Sequence, residues 1–201
     1  LSFPSQSITK TIGDANFTVV ATAPALSTGA FHYTFSNLIF GGISGTSFNR
    51  IAMSSNGQYI SAIYSDPANY IYVSNNYGFT WTRYAFADPG NRIAMSSTGQ
   101  YQAYNHAGGV FVSINYGVSF AKTGTNNNGN IRVEMSDSGQ YIISVGNSAQ
   151  IYTSTDSGST WAPKMTNAYW QDCAITANGA TQFALEWGSG QIFKTTDNWA
   201  T

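Results

Sequence analysis

The sequence predicts an all-β protein made of several similar antiparallel sheets, and three observations lead to this prediction. A seven-residue stretch, Met53 to Tyr59, recurs at Met95 to Tyr101, at Met135 to Tyr141 and, in altered form, at Ile175 to Thr181. The copies begin 42, 40 and 40 residues apart, which is the spacing of one small supersecondary unit stacked repeatedly. Short runs rich in aromatic and β-branched residues follow each copy, as strands would.

The composition excludes several classes of partner. The 201 residues include only eight basic and nine acidic residues, and the net charge is -1, so the chain has no basic surface for nucleic acid. No stretch approaches the roughly 20 apolar residues of a membrane span. Solubility must depend on Ser, Thr, Asn, Gln and Gly, which is typical of extracellular, cell-surface or virion-surface β-proteins, and we expect such a location. Cys173 is the single cysteine, so no internal disulfide is possible.

Each repeat contains a predicted series of strands, which we label A, B, C and D. Strand A of the first repeat is Arg50 to Ser54, and Asn56-Gly57 is the turn that joins it to strand B, because both residues tolerate positive φ. The B strands are predicted at 59–64, 101–105, 141–145 and 181–186, and the C strands at 70–73, 110–113, 151–154 and 191–195.

A second repeated motif follows strand C, and it is clearest in Ser154 to Trp161. The Asp side chain of this motif is expected to accept hydrogen bonds from backbone amides across a tight hairpin, the Gly to adopt positive φ, and the aromatic residue to pack between neighbouring sheets. The predicted structural residues are Asn76, Gly78, Trp81, Asn115, Gly117, Phe120, Asp156, Gly158, Trp161 and Asp197.

This motif resembles the Asp-box, or bacterial neuraminidase repeat. Asp-boxes occur in β-propellers of sialidases, family 74 xyloglucanases, sortilin-like receptors and photosystem assembly factors. The resemblance covers residues 50 to 201. It implies a β-propeller of four-stranded antiparallel blades, with box hairpins that are structural and lie away from any catalytic centre.

The predicted blades are residues 50–88, 92–124, 131–166 and 172–201. The fourth motif stops before its aromatic position, so blade four has no outer strand of its own, and an unpaired sheet edge is normally covered. We predict that residues 30–40 supply that strand and close a four-bladed propeller formed by residues 30–201.

Residues 1–29 are predicted to form a separate β extension. Residues 10–31 resemble the opening of bacterial immunoglobulin-like repeats of surface adhesins. The extension is therefore interpreted either as a remnant of such a domain or as a segment that donates a strand to another copy of the chain.

Three arginines, Arg50, Arg92 and Arg132, stand at the same place in successive repeats, and Asp172 takes that place in the fourth. Sialidases grip a substrate carboxylate with three arginines from different blades, since guanidinium groups suit that planar anion. Here the equivalence follows from the repeat itself. We therefore expect a ring around the propeller axis that balances its own charge, although Glu134 beside Arg132 keeps a hydrolase hypothesis open.

No catalytic residue, metal site or cofactor is predicted. His32 and His106 have no spaced cluster of Cys, His or carboxylate residues around them. Tyr77 and Tyr116 occupy variable positions at hairpin tips, from which they could stack on sugar rings.

The favoured functional hypothesis is therefore a non-catalytic surface propeller. It would serve as a structural or recognition module that binds glycans or other copies of itself. One alternative is a glycoside hydrolase of sialidase or xyloglucanase type, or a fragment of one. Another is a protein-binding assembly factor or receptor.

Overall fold

A computed structural model describes residues 8–12, 15–19, 48–64, 70–85, 92–106, 109–124, 130–147 and 149–200, and these residues form strands and turns. The chain divides into two compact units, Leu1–Ile43 and Ser44–Thr201. In the first unit, β1 (Ile8–Ile12) pairs antiparallel with β2 (Ala15–Val19). The remainder of the predicted 1–29 extension and the predicted closing strand at 30–40 lie outside the described residues, so both stay predictions.

The second unit contains four antiparallel sheets, which we call blades one to four, each a meander with its strands in chain order. Blade one is β3 (Phe48–Met53), β4 (Ile60–Tyr64), β5 (Tyr70–Ser74) and β6 (Thr82–Ala85). Blade two is β7 (Arg92–Met95), β8 (Gln102–His106), β9 (Gly109–Ser113) and β10 (Ala121–Lys122). Blade three is β11 (Asn130–Met135), β12 (Ile142–Gly146), β13 (Ala149–Ser154) and β14 (Ala162–Ala168). Blade four is β15 (Trp170–Ile175), β16 (Gln182–Glu186) and β17 (Ile192–Thr195). The all-β prediction is confirmed, and the described part of blade four has strands A, B and C only.

The blades pack face to face, so their central strands are buried on both sides. All five residues of β12, for example, are buried. Alternate side chains of a strand contribute to different cores, as Ile142 packs towards blade two and Ile143 towards blade four. The apolar cores lie between blades one and two (Ile63, Ile71, Val73, Tyr104), two and three (Ala94, Ala103, Val110, Val112, Val133, Met135, Ile142), and three and four (Ile143, Val145, Ile151, Trp170, Cys173, Ala184, Trp199).

Backbone hydrogen bonds join the AB hairpins of neighbouring blades. The amide of Ser55 donates to the carbonyl of Ser97 over 2.9 Å, Ser97 donates to Asp137 over 2.8 Å, and Asp137 donates to Ala177 over 2.8 Å. The repeated heptapeptide therefore carries the bond that links one blade to the next.

In blades two, three and four, a glycine of the AB hairpin receives a tyrosine from the preceding blade. A Cβ atom added to Gly139 would lie 2.5 Å from the Cβ of Tyr101, and Gly99 and Gly179 meet Tyr59 and Tyr141 in the same way. The glycines have positive φ as well, 72° at Gly139. The position consequently requires glycine for two reasons, its backbone conformation and the close approach of a neighbouring blade.

The CD hairpins are held by the polar residues of the second motif. In blade three, Ser154 Oγ donates to Asp156 Oδ1 over 2.8 Å, and the amides of Gly158 and Thr160 donate to Ser154 Oγ and Asp156 Oδ1, each over 2.8 Å. Asn76 and Asn115 accept equivalent bonds in blades one and two. The aromatic residues Trp81, Phe120 and Trp161 are only half-buried, and Phe120 and Trp161 pack against the margins of the cores.

Blade four departs from this pattern at Trp199, which occupies the place of the hairpin glycine. Its φ is 60°, a conformation that is costly for a bulky residue. The indole is buried in the core between blades three and four, and its Nε1 donates to Gln182 Oε1 over 2.9 Å. The backbone amide still donates to Thr195 Oγ1. Burial and the two hydrogen bonds offset the strained backbone.

The tyrosine-glycine contact predicts that Gly139→Ala destabilises the protein more than Gly190→Ala. Gly190 also has positive φ, 67°, but an added Cβ meets nothing within 4 Å, so this control measures backbone strain alone. We expect the control to cost about 1–2 kcal/mol of unfolding free energy and Gly139→Ala a further ~1–3 kcal/mol from overpacking against Tyr101. Chemical denaturation of the two variants checks this, and equal losses would contradict the close approach.

Candidate functional site

The two ends of the blades carry different kinds of segment. The AB and CD hairpins share one end, where the amides of Tyr77, Tyr116 and Ser157 donate to the carbonyls of Gln58, Gln100 and Gln140. Because the strands are antiparallel, the BC turns and the connections between blades must lie at the other end. The first end is formed by repeated sequence, and the second by segments that differ from blade to blade.

A cleft of about 510 Å³ lies at this second end, between blades three and four. Its lining includes Asn147 from the BC turn of blade three, Tyr169 from the connection between the blades, Gln171 from β15, and Trp187 from the BC turn of blade four. Tyr169 and Trp187 are 55% and 65% exposed. Two large aromatic side chains therefore face solvent beside two amide side chains.

Local hydrogen bonds fix the turn that presents Trp187. The backbone amide of Trp187 donates to the carbonyl of Tyr169 over 2.6 Å, which ties the two aromatic residues together through the main chain. The amide of Glu186 donates to the carbonyl of Gln191, and Ser189 Oγ donates to Glu186 Oε2 over 2.6 Å. Such a turn holds the aromatic pair in place without burying it.

An irregularity of strand A directs Gln171 into the cleft. In β15, Trp170 pairs with Glu186 and Asp172 pairs with Leu185, so Gln171 has no partner in the register. This is the register shift of a β-bulge, a feature that commonly re-aims a side chain beside a binding site. Gln171 is exposed, whereas Trp170 is buried.

The cleft is chemically suited to a ligand with apolar faces and many hydroxyl groups. Tyr169 and Trp187 offer flat apolar surfaces with polar edges, and the amides of Asn147 and Gln171 offer both donors and acceptors. None of the four side chains is charged at neutral pH.

The tyrosines predicted to stack on sugars lie elsewhere. Tyr77 and Tyr116 are at the tips of CD hairpins, with φ of 62° each, at the opposite end of the blades from the cleft. They are 57% and 37% exposed, and the ring of Tyr116 stacks on Tyr59 with 4.5 Å between centroids. The structure thus does not bring them together with the cleft residues, and their predicted role stays a prediction.

The four residues predicted to form an axial ring occupy equivalent places in the A strands. Arg50, Arg92, Arg132 and Asp172 pair in register with Ile63, Asn105, Val145 and Leu185. The A strands of neighbouring blades lie beside one another. Arg132 and Asp172 form an ion pair, with Nη2 donating to Oδ2 over 2.7 Å and Nε 2.6 Å from Oδ1. The charge-balanced ring as a whole stays a prediction.

Glu134 and Cys173 lie in the electric field of this ion pair. Burial raises the pKa of Glu134 above its ordinary 4.5; the guanidinium of Arg132 opposes the rise, and the carboxylate of Asp172 adds to it. Burial also raises the pKa of the Cys173 thiol well above its ordinary value, with Glu134 and Asp172 adding to the effect. Cys173 is buried in the core, so its thiol is a packing group rather than an exposed nucleophile.

The other titratable groups in the described ranges do not assemble a further site. Asp156 accepts hydrogen bonds within the CD hairpin of blade three, and Asp197 does so in the turn after strand C of blade four. Within the described residues, no group of three or more His, Cys, Asp or Glu side chains could hold a metal ion, and no helix is long and apolar enough to span a membrane. His32 falls outside the described ranges.

No protein-family model and no curated protein matches the chain. Among solved structures, a GH74 enzyme of Niastella koreensis is similar, with a TM-score of 0.56 and 18% identity over 77% of this chain and 30% of that chain. The GH74 xyloglucanase of Xanthomonas campestris gives 0.54 and 13% identity over 73% and 30%. YCF48 bound to D1 peptide gives 0.51 and 11% identity over 76% and 55%.

The chain thus spans about a third of the two GH74 enzymes and about half of YCF48. At these identities the likeness shows the fold alone, which is that of a β-propeller, and fold does not determine function.

The environment of Glu134 predicts how Glu134→Gln changes the pH dependence of stability. Because the pKa is raised in the folded state, the stabilising contribution is complete below the ordinary pKa of 4.5 and is lost as pH rises through the raised value. The neutral glutamine escapes this loss. Denaturation at a series of pH values should show that the variant gains stability over the wild type between acid and neutral pH. A difference in unfolding free energy between the two proteins that does not change with pH would contradict the account.

Asp156→Asn provides a contrast of opposite sign. Hydrogen bonds from the side chain and backbone of Thr160 lower the pKa of Asp156, so its contribution is present above the ordinary pKa of 3.8 and is lost as pH falls. Asparagine already serves at this position in blades one and two, where Asn76 Oδ1 accepts from the amide of Thr80 over 2.9 Å. The variant should therefore fold at neutral pH and lose less stability than the wild type in acid.

Proposed function

We propose that the propeller is a non-catalytic recognition module that binds neutral glycans in the cleft between blades three and four. The observation that carries the proposal is the exposed pair Tyr169 and Trp187, held together by a main-chain hydrogen bond and placed beside Asn147 and Gln171. Exposed large apolar groups gathered at one place usually mark a binding site.

The physical basis is the match between these side chains and a sugar ring. The C–H groups of a pyranose form an apolar face that can stack on an indole or phenol ring, while its hydroxyls exchange hydrogen bonds with amide groups. Stacking removes apolar surface from water, and the fixed turns limit the side-chain ordering that binding must impose.

The charge of the cleft favours uncharged glycans over acidic ones. A carboxylated or sulfated sugar requires a cation for compensation, and the four lining side chains that the structure describes supply none. Arg132, one of the three arginines found at equivalent places in the repeats, is already paired with Asp172.

The CD hairpins are proposed to be Asp-boxes with a purely structural role. Asp156, Asn76 and Asn115 accept hydrogen bonds inside their own hairpins, so these groups are engaged in holding the turns.

A surface location outside the cell or on a virion is proposed from the composition, which has few charges and many small polar residues.

Hydrolysis is the alternative, and the cleft gives it less support. Glycosidases generally need two carboxyl groups that flank the scissile bond. Glu186 is next to Trp187 in the chain, but it accepts a hydrogen bond from Ser189, and Glu134 and Asp172 are associated with Arg132. Release of a fluorescent aglycone from neutral glycosides, with loss of release in Glu186→Gln, would establish hydrolysis instead.

The proposal predicts that Tyr169→Ala and Trp187→Ala each weaken glycan binding. Isothermal titration against a panel of neutral oligosaccharides should show a loss of about tenfold or more for each variant, since one stacking aromatic contributes on the order of 1.4 kcal/mol. Asn147→Ala should show a smaller loss.

The matched control is Tyr77→Ala, an equally exposed tyrosine at the other end of the blades. Under this proposal it should bind as the wild type does, whereas a loss of binding in Tyr77→Ala would favour the hairpin tips as the sugar site. Absence of binding to every neutral glycan, or unchanged binding by Trp187→Ala, would refute the proposal, and capture of an extended peptide in place of sugars would favour the protein-binding alternative.

A further inference from the structure

At each interface inside the propeller, one face of a blade packs against the opposite face of the next blade. We call the side towards the following blade the trailing face and the side towards the preceding blade the leading face. The described residues contain three such junctions, between blades one and two, two and three, and three and four. At one end of the series stands the trailing face of blade four. At the other end stands the leading face of blade one.

The trailing face of blade four is exposed at positions that the other blades bury. Ile192 is 71% exposed, whereas its register equivalents Ile71, Val110 and Ile151 are 0–2% exposed. Phe183 is 36% exposed, while its equivalents Ser61, Ala103 and Ile143 are fully buried. The face carries apolar side chains, and none of the described blades covers it.

The leading face of blade one shows the complementary feature. Ile51 is 67% exposed, whereas Val133 and Cys173 at the same register position are 0% and 7% exposed. Met53 is 60% exposed, against 9% for Met135.

The hydrogen bonds along the AB hairpins end in complementary groups. Ser55, Ser97 and Asp137 each donate to the following blade, but no described residue accepts from the amide of Ala177 in blade four. The carbonyl of Ser55 in blade one receives no donor among the described residues. Within the part of the chain that the structure describes, a donor therefore lacks an acceptor at one end of the series, and the matching acceptor lacks a donor at the other.

We propose that the trailing face of blade four binds the leading face of blade one of a second copy of the chain. The junction continues the three internal interfaces with the same kinds of group: apolar side chains from both faces, and an amide-to-carbonyl bond from Ala177 to Ser55. It is a head-to-tail contact, so it leads to closed rings or to linear assemblies. The inference is independent of glycan binding.

Two substitutions make this junction weaker than the internal ones. Thr181 stands where Tyr59, Tyr101 and Tyr141 insert against the next glycine, so Gly57 receives a smaller side chain. Lys194 stands where the other trailing faces have Val73, Val112 and Thr153, and it puts a charge on the trailing face of blade four. Association between copies is therefore a concentration-dependent equilibrium.

Sedimentation velocity over a range of concentrations tests the proposal with two variants, Ile192→Asp and Ile51→Asp. Each substitution places a charge in one half of the junction and should weaken self-association about tenfold or more. An equimolar mixture of the two variants retains one intact junction and should form dimers that do not grow further. Ile114→Asp, at a hairpin tip that is 64% exposed, is the control and should associate as the wild type does.

The outcomes separate this proposal from other occupants of the two faces. A wild type that is monomeric at every concentration shows that the chain covers these faces itself and overturns the proposal. Loss of association in Ile192→Asp but not in Ile51→Asp indicates a symmetric contact and also overturns it, as does a mixture that stays monomeric. Circular dichroism of the variants confirms that each is folded.

Discussion

The structure depends on one contact, the junction between the AB hairpins of neighbouring blades. An amide of one hairpin donates to a carbonyl of the next, and a tyrosine beside it packs where only a glycine leaves room. The contact fixes the distance between blades at one end. Because the strands run from that end, it also determines which apolar side chains meet in the three cores. The repeat with a period near 40 residues reflects this contact, because each blade must supply the same hairpin residues.

The same contact explains why the two ends of the propeller differ. At the hairpin end, Ser, Asn, Asp and Gly are engaged in holding turns and in joining blades, so substitutions there act on stability. The other end is free of this constraint, and its turns vary in length and composition. The exposed pair Tyr169 and Trp187 lies at that end, on a framework that the hairpins hold in place. Scaffolds with variable loops at one end commonly place binding sites there.

Much of the fold could be predicted from sequence, because the repeat and the Asn-Gly and Ser-Gly turns identify strands by position. The cleft was missed for the opposite reason. Tyr169 and Trp187 stand in connections outside the repeated motifs, where alignment of the copies says nothing. A signal was present in Trp187, an aromatic residue that begins the glycine-rich BC turn of blade four. The bulge at Gln171 recurs at the equivalent places of blades one and three, directly before Arg50 and Arg132, so it belongs to the repeat although no residue type marks it in the sequence.

Amide hydrogen exchange measured residue by residue in dilute solution tests the central claim most directly. If the hairpin bonds hold neighbouring blades together, the amides of Ser55, Ser97 and Asp137 exchange slowly, and the amide of Ala177, which has no such acceptor among the described residues, exchanges quickly. Exchange of Ser97 and Asp137 as fast as that of Ala177 would contradict the account, since it would show that these bonds do not hold the blades together.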